Sequence, residues 1–144
     1  SYVLNFIPKE KVFAIYGNHD VPVFGDEYIK HYELKELHYE EVKGFKILGC
    51  GGTHRYGNGA VVFWGQQENI DYMRKQPKAN ILFTHDVAFG ESKKNNHSQL
   101  GLKGIADYLT RFPECFHVHG HIHKSYLKER EKSVHKVEYL TFLY

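Results

Sequence analysis

The chain has 144 residues, of which 42% are hydrophobic and 15% aromatic, and its formal net charge is +2. This length and composition fit one domain with a substantial core, and the nearly balanced charge argues against a nucleic-acid partner. No apolar run reaches the roughly 18 residues of a membrane helix, so no membrane partner is expected. The two cysteines, Cys50 and Cys115, lie in apolar runs. We expect them to be buried thiols of a cytoplasmic protein rather than a disulfide.

Short apolar runs bounded by turn residues predict the strands. The expected strand segments are 11–17, 37–42, 45–49, 79–85 and 115–119. The second and third are joined at Lys43–Gly44, which indicates a hairpin turn. The tail from Lys124 onward resembles a terminal hairpin.

Two segments carry helical signals. Residues 65–76 are expected to form a helix that stops before Pro77. A second helix is expected after the polar loop 87–100, because its apolar residues share one stripe: Leu102, Ile105, Ala106 and Leu109. Strands that alternate with helices predict an α/β layered fold with a single domain over 1–144.

Residues 116–123 read FHVHGHIH, with histidine at every second position. A strand would place alternate rings on one face, but Gly120 indicates that the chain turns there. For the ring before this turn, His119, a packing role is expected. The run raises the question of whether its other rings line a metal site.

Three polar clusters follow directly after strand-like runs. They are Asn18–His19–Asp20, His85–Asp86 and His121–Ile122–His123. Ligand sites of open α/β sheets lie at the carboxyl ends of strands, so these clusters are expected to meet. Their nitrogen and oxygen donors suit a divalent transition metal such as Mn, Fe, Zn or Co.

Each histidine and each cluster also has an ordinary structural interpretation. Four histidines, His31, His38, His54 and His135, are expected to be satisfied side chains outside the site. The pair Asn18–His19 is also compatible with plain turn chemistry. The coincidence of three clusters at strand ends favours the metal site.

The same residues resemble the calcineurin-like metallophosphoesterase superfamily. The motif GNHD at 17–20, a lone histidine after an apolar strand at 85 and GHIH at 120–123 match the family in order and type. The resemblance covers most of the chain, from about Lys11 to Lys124. It implies a four-layer α/β/β/α sandwich with a two-metal centre between strand ends.

The resemblance also implies a role for each matching position. Asn18, His85 and His121 would ligate one divalent ion, and His123 would reach a second. His19 would contact the substrate phosphate and protonate the leaving oxygen, and Asp20 would orient His19 through a hydrogen bond. Asp86, beside His85, would serve as an acceptor for a ligand histidine.

The chain departs from the family pattern upstream of GNHD. The family motifs Asp-x-His and Gly-Asp-x-x-Asp, which supply the bridging carboxylate, are absent; Gly25–Asp26 begins the second pattern, but Ile29 stands where its last Asp should be. We therefore expect this chain to be the C-terminal portion of a longer enzyme, incomplete at its N-terminal side. Such a chain is expected to hold at most one metal well, to be nearly inactive alone, and to self-associate through exposed sheet.

Two functions of different class remain open. The first is a metal-dependent phosphoesterase (a hydrolase using manganese or a similar ion) that hydrolyses a phosphate mono- or diester with a metal-activated hydroxide. The second is a degenerate, non-catalytic metal-binding module. A nuclease of the same superfamily ranks lower, because neither a basic stripe nor an aromatic stacking platform is present.

The substrate class is expected to be a small-molecule or nucleotide phosphoester. Loops 51–59 and 89–99 are candidates for substrate contacts, through His54, Arg55, Tyr56 and His97. An equally good interpretation is that these are ordinary solvated loop residues. The sequence leaves open the native metal, the oligomeric state and the choice between monoester and diester.

Overall fold

A five-stranded mixed sheet brings the second and third sequence clusters to one of its edges. The computed structural model describes residues 8, 12–17, 35–56, 63–93, 99–122, 124–128 and 132–135. The spatial order of the sheet is β3 (Tyr39–Val42), β4 (Phe45–Cys50), β7 (Ile81–Thr84), β8 (Phe116–His119) and β9 (Ser133–His135). The pair β3–β4 is antiparallel, whereas β4, β7, β8 and β9 run parallel to one another. The carboxyl ends of four strands therefore lie along one edge.

The hairpin β3–β4 closes through the turn that the sequence predicts. Lys43 and Gly44 both have positive φ angles, 50° and 82°. Two consecutive residues of this kind give the turn a twist that matches the twist of the flanking strands. The hairpin prediction is confirmed.

Two short helices cover one face of the sheet. Helix α1 (Gln66–Arg74) buries Asn69 and Met73, and α2 (Lys103–Arg111) buries Ile105 and Tyr108. Helix α1 lies inside the predicted segment 65–76, and α2 contains Ile105, Ala106 and Leu109 of the predicted apolar stripe, with Leu102 directly before its first residue. The core cluster also contains Leu48 and Leu82 of neighbouring strands, together with Leu102, Leu109 and Cys115. This face of the sheet is thereby sealed from solvent.

The side chain of Gln66 joins the starts of the two helices. Its Nε2 donates to the carbonyl oxygen of Gly101 (2.9 Å), and its Oε1 accepts from the N–H of Lys103 (2.8 Å). One side chain thus satisfies a first-turn N–H of α2 that has no partner inside the helix.

Four further strands form two small parallel pairs. Strand β1 (Phe13–Ala14) pairs with β2 (Lys35–Glu36), and β5 (Thr53–His54) pairs with β6 (Phe63–Trp64). A cavity of about 190 Å³ lies between the first pair and the sheet, lined by Phe13, Ala14, Ile15, Leu37, Ile47 and Phe83. Phe83 and Phe116 remain 41% and 37% exposed. The face opposite the helices is therefore apolar and partly open.

The prediction of a terminal hairpin is wrong for the described part of the tail. Lys124–Tyr126 forms a 3-10 helix, and β9 pairs in parallel with β8, the preceding strand, rather than in an antiparallel hairpin within the tail. Leu127 instead forms an isolated antiparallel bridge with Ser92. The tail therefore joins the main sheet instead of pairing with itself in the described part.

The structure confirms a mixed α/β fold, which in the described part of the chain has three small sheets and two α-helices. Both cysteines are free and buried, as expected. Burial raises the pKa of the Cys50 thiol to about 12, opposed by a hydrogen bond from Asn69. The Cys50 thiol therefore stays protonated at neutral pH. Among the residues that the structure describes, no helix is long and apolar enough to cross a bilayer.

Candidate metal centre

His85 and His121 meet where strands β7 and β8 end. The backbone N–H of Gly120 donates to the carbonyl oxygen of His85 (3.0 Å), which joins the two strand ends just beyond the regular pairing. The imidazole rings of His85 and His121 have centroids 5.2 Å apart with planes inclined by 56°. Two imidazoles whose nitrogens lie about 2.0–2.1 Å from one tetrahedral ion have centroids roughly 5 Å apart. The separation of the two centroids matches this value.

The backbone of His121 is unusual. Its φ angle is +63°, in the left-handed region that a residue with a Cβ seldom adopts. The N–H of Ile122 donates to the carbonyl oxygen of Gly120 (2.8 Å), which closes a tight turn around His121. The strained turn aims the ring back toward His85, and such strain is concentrated at functional sites.

Asp86 is the buried carboxylate of this edge, with 1% of its surface exposed. Its Oδ2 accepts from the N–H of His54 (3.0 Å), and its Oδ1 accepts from that of Val87 (2.8 Å). Burial raises the pKa of the Asp86 carboxyl, whereas the His121 ring and the two N–H groups act in the opposite direction. The sequence predicted that Asp86 serves a ligand histidine, and among the neighbouring charged groups His121 influences its pKa most.

Asp86 also fixes a loop beside the site. Its bond to the N–H of His54 holds β5, and the N–H of Arg55 donates to the carbonyl oxygen of Trp64 (2.9 Å). The guanidinium of Arg55 lies 5.8 Å from the ring centroid of Phe63. His54, expected outside the site, therefore lies next to its buried carboxylate, while Arg55 is held on the neighbouring strand pair.

The structure brings together two of the six predicted site residues, His85 and His121. The other four, Asn18, His19, Asp20 and His123, lie outside the described residues. The described chain before Asn18 does reach the same edge, because the N–H of Gly52, just after β4, donates to the carbonyl oxygen of Tyr16 (2.7 Å).

A second group of potential ligands was not predicted as a unit. Glu91, His117 and His119 each offer one ligand atom, and these atoms lie within 4.8 Å of one another. The alternating histidines of β8 were the sequence signal for two members. Glu91 comes from the loop after β7, and nothing in its local sequence marks it as their neighbour.

Comparisons with known proteins address the fold. No family model matches the sequence, and no curated protein matches it. One solved crystal structure is similar, with a TM-score of 0.58 and 15% sequence identity over 87% of this chain and 56% of that chain. At this identity the likeness shows the fold alone. The chain spans about half the length of that structure.

Proposed function

We propose that the chain forms part of a metal-dependent phosphoesterase of the calcineurin-like type. The observation that supports this most is the pairing of His85 with His121 at the carboxyl ends of adjacent parallel strands. These are two of the positions at which the sequence motifs resemble that family. The buried Asp86 lies close enough for the His121 ring to lower the pKa of its carboxyl, and we assign it as the carboxylate partner that ligand histidines usually have.

The proposed fold is the four-layer sandwich of that family, with this chain as its C-terminal portion. Helices α1 and α2 and the five-stranded sheet supply one α and one β layer. The open apolar face of the sheet, which carries Phe83 and Phe116, is where a second sheet would pack. The free, buried cysteines support the cytoplasmic location expected from the sequence.

The ligand assignment gives each residue a distinct task. Asn18, His85 and His121 hold one divalent ion and His123 contributes to a second, the metal being Mn, Fe, Zn or Co. Such ions, when bound, neutralise phosphoryl charge and lower the pKa of water to supply a hydroxide nucleophile. Asp86 orients the His121 ring, and the turn at Gly120 keeps this ring opposite His85.

Proton transfer is assigned to the GNHD segment. His19 holds a proton at a ring nitrogen and delivers it to the leaving oxygen of a small-molecule or nucleotide phosphoester, and Asp20 orients His19. An imidazole has a usual pKa near neutrality, which suits a general acid. These two roles are based on the resemblance of the motif.

Metal binding is the first test. Calorimetric titration of Mn²⁺ into the purified chain should show saturable binding, and His121→Ala should weaken it by more than tenfold. His38→Ala is the matched control, because His38 is exposed and pairs with Glu36 (3.4 Å) rather than with the site. Equal affinity in His121→Ala and His38→Ala would remove His121 from the ligand set.

Hydrolysis of a nitrophenyl phosphodiester tests the activity itself. The 144-residue chain is expected to be nearly inactive, because the bridging carboxylate motif is absent from its sequence. Where turnover is measurable, His19→Ala should lower it by about 10²–10⁴-fold without loss of metal, and by less for esters with good leaving groups. Metal binding together with no turnover under any condition would favour the degenerate, non-catalytic module.

A further inference from the structure

A second histidine pair lies inside the sheet and has no part in the proposed phosphoesterase centre. His117 and His119 project from the same face of β8, and they are 0% and 4% exposed. Same-face neighbours on a strand are spaced by about 6.6 Å, yet these ring centroids are only 4.8 Å apart. The two rings therefore lean toward each other within the buried layer.

Glu91 brings a carboxylate to this pair. One ligand atom from each of Glu91, His117 and His119 falls within a group no wider than 4.8 Å. The backbone around Glu91 is held on both sides: its N–H donates to Ala88 O (3.1 Å), and its carbonyl accepts from the N–H of Lys128 (2.8 Å). The loop thus presents the carboxylate from a fixed position, which lowers the entropic cost of binding a ligand.

The hydrogen bonds around His117 define which ring nitrogen carries its proton. The Thr84 hydroxyl has one hydrogen and donates it to the carbonyl oxygen of Asp86 (2.5 Å). The same Thr84 oxygen lies 2.7 Å from Nε2 of His117, and with its own hydrogen already used it must accept a hydrogen bond from this nitrogen. Nε2 of His117 carries the hydrogen, and in the neutral ring Nδ1 holds the lone pair. A metal ligand needs this arrangement, with the other nitrogen fixed by a partner.

His119 has a comparable anchor. Its Nε2 lies 3.1 Å from the hydroxyl oxygen of Ser133 on the adjacent strand β9. Each ring is thus fixed at Nε2 by a hydroxyl group, and both Nδ1 atoms are shielded from solvent. The two rings and the carboxylate form a His₂Glu donor set, which is one that proteins use for zinc.

We propose that Glu91, His117 and His119 form a second, independent metal site for a divalent ion of the zinc type. Its position gives it a structural role, because it links the loop after β7 to the centre of β8. One divalent ion satisfies two imidazole nitrogens and a carboxylate together, which offsets the cost of burying them. This site shares no ligand with the centre at His85 and His121, so it does not depend on the proposed activity.

Equilibrium dialysis of the chelator-treated chain against buffered Zn²⁺ measures this site directly. The double variant H85A/H121A removes the other centre, and it should retain one zinc per chain. Adding Glu91→Gln to this variant should lower its zinc affinity. The loss should exceed the roughly 10–100-fold seen when a residue that only hydrogen-bonds to a ligand is removed, because Glu91 is proposed to be a ligand itself. The control is Glu114→Gln, since Glu114 is 79% exposed and pairs with Lys132.

Substitution with Co²⁺ identifies the ligands when folding is a concern. His117→Gln keeps a donor for Thr84 but has no Nδ1, so circular dichroism should be unchanged while the visible Co²⁺ bands are lost. His119→Gln should behave in the same way. Failure of H85A/H121A to retain zinc, or unchanged zinc affinity after Glu91→Gln, would overturn the proposal and leave a buried histidine–glutamate ion pair.

Discussion

The backbone of Gly104 in α2 packs so closely against Asn69 in α1 that position 104 has no room for a side chain. A Cβ at position 104 would overlap the side-chain oxygen and the backbone carbonyl of Asn69. Asn69 is fully buried, and its Nδ2 donates to the sulfur of Cys50 (3.7 Å). The contact therefore ties α2 through α1 to strand β4.

Gly104→Ala should destabilise the protein although alanine is the better helix former. The gain in helix propensity is about 1 kcal/mol, whereas overpacking against backbone costs about 1–3 kcal/mol and has little room to relax. Urea unfolding should show a net loss of up to about 2 kcal/mol. Thr110→Ala, at an exposed position of the same helix, should stay within about 0.5 kcal/mol of the parent. Greater stability of Gly104→Ala would contradict the close approach.

His121→Gly should unfold less readily than His121→Ala. Alanine retains the cost of the left-handed backbone at φ +63°, and glycine does not. We expect a difference of about 1 kcal/mol in the free energy of unfolding, measured without metal. Both variants should lose metal affinity to the same extent. Equal stability of the pair would mean that this turn carries no strain.

Ionisation of the Tyr108 hydroxyl should lower the free energy of unfolding in alkaline solution. Its hydroxyl donates to the carbonyl oxygen of Pro77 (2.7 Å), and burial raises its pKa to about 12 from a usual value near 10. A raised pKa favours the protonated folded state, so this contribution is complete below about pH 10 and is lost as the pH rises toward 12.

Tyr108→Phe tests this dependence. At pH 8 it should cost about 0.5–1.5 kcal/mol through the lost hydrogen bond. Between pH 10 and 12 the free energy of unfolding of the variant should decline less steeply than that of the parent. Parallel curves for the two proteins over this range would exclude Tyr108 as the titrating group.

The double variant F83T/F116T should associate less than the parent. Both phenylalanines lie on the open face of the sheet, and threonine keeps the strand propensity. Removing two partly exposed rings should weaken self-association by roughly 1–2 kcal/mol, about a five- to thirtyfold rise in Kd, measured by sedimentation velocity. Phe89→Thr is the control, because Phe89 is equally exposed, at 41%, but belongs to a loop. An equal effect of Phe89→Thr would indicate nonspecific hydrophobic association rather than contact through this face of the sheet.

Local sequence signals predict the elements and the strand-end pair well. The turn at Lys43–Gly44 and the meeting of His85 with His121 follow from short-range patterns plus the rule that ligands collect at carboxyl ends of parallel strands. Non-local choices were not predictable. The tail strand β9 pairs in parallel with β8, the strand before it, whereas the tail sequence indicated an antiparallel hairpin.

The remaining surprises at the site have the same origin. Asp86 stands beside His85 in the sequence, but its side chain is directed by N–H groups of His54 and Val87 toward the neighbourhood of His121. Glu91 reaches the histidines of β8 because Lys128 holds its loop. Residue spacing does not predict where these two carboxylates lie, because each is held by a segment that is distant in the sequence: His54 for Asp86 and Lys128 for Glu91.

The five strands of the main sheet lie side by side in the same order in which they occur in the chain. During synthesis, each strand can therefore add to an edge that already exists, with no need to insert between strands paired earlier. The hairpin β3–β4 offers the first template, and β7 extends it before β8 has left the ribosome. His85 therefore has no His121 beside it until β8 pairs with β7. Capture of the proposed ion by this pair would consequently be a late event, and a nascent chain stopped before β8 is expected to bind no ion between these two rings.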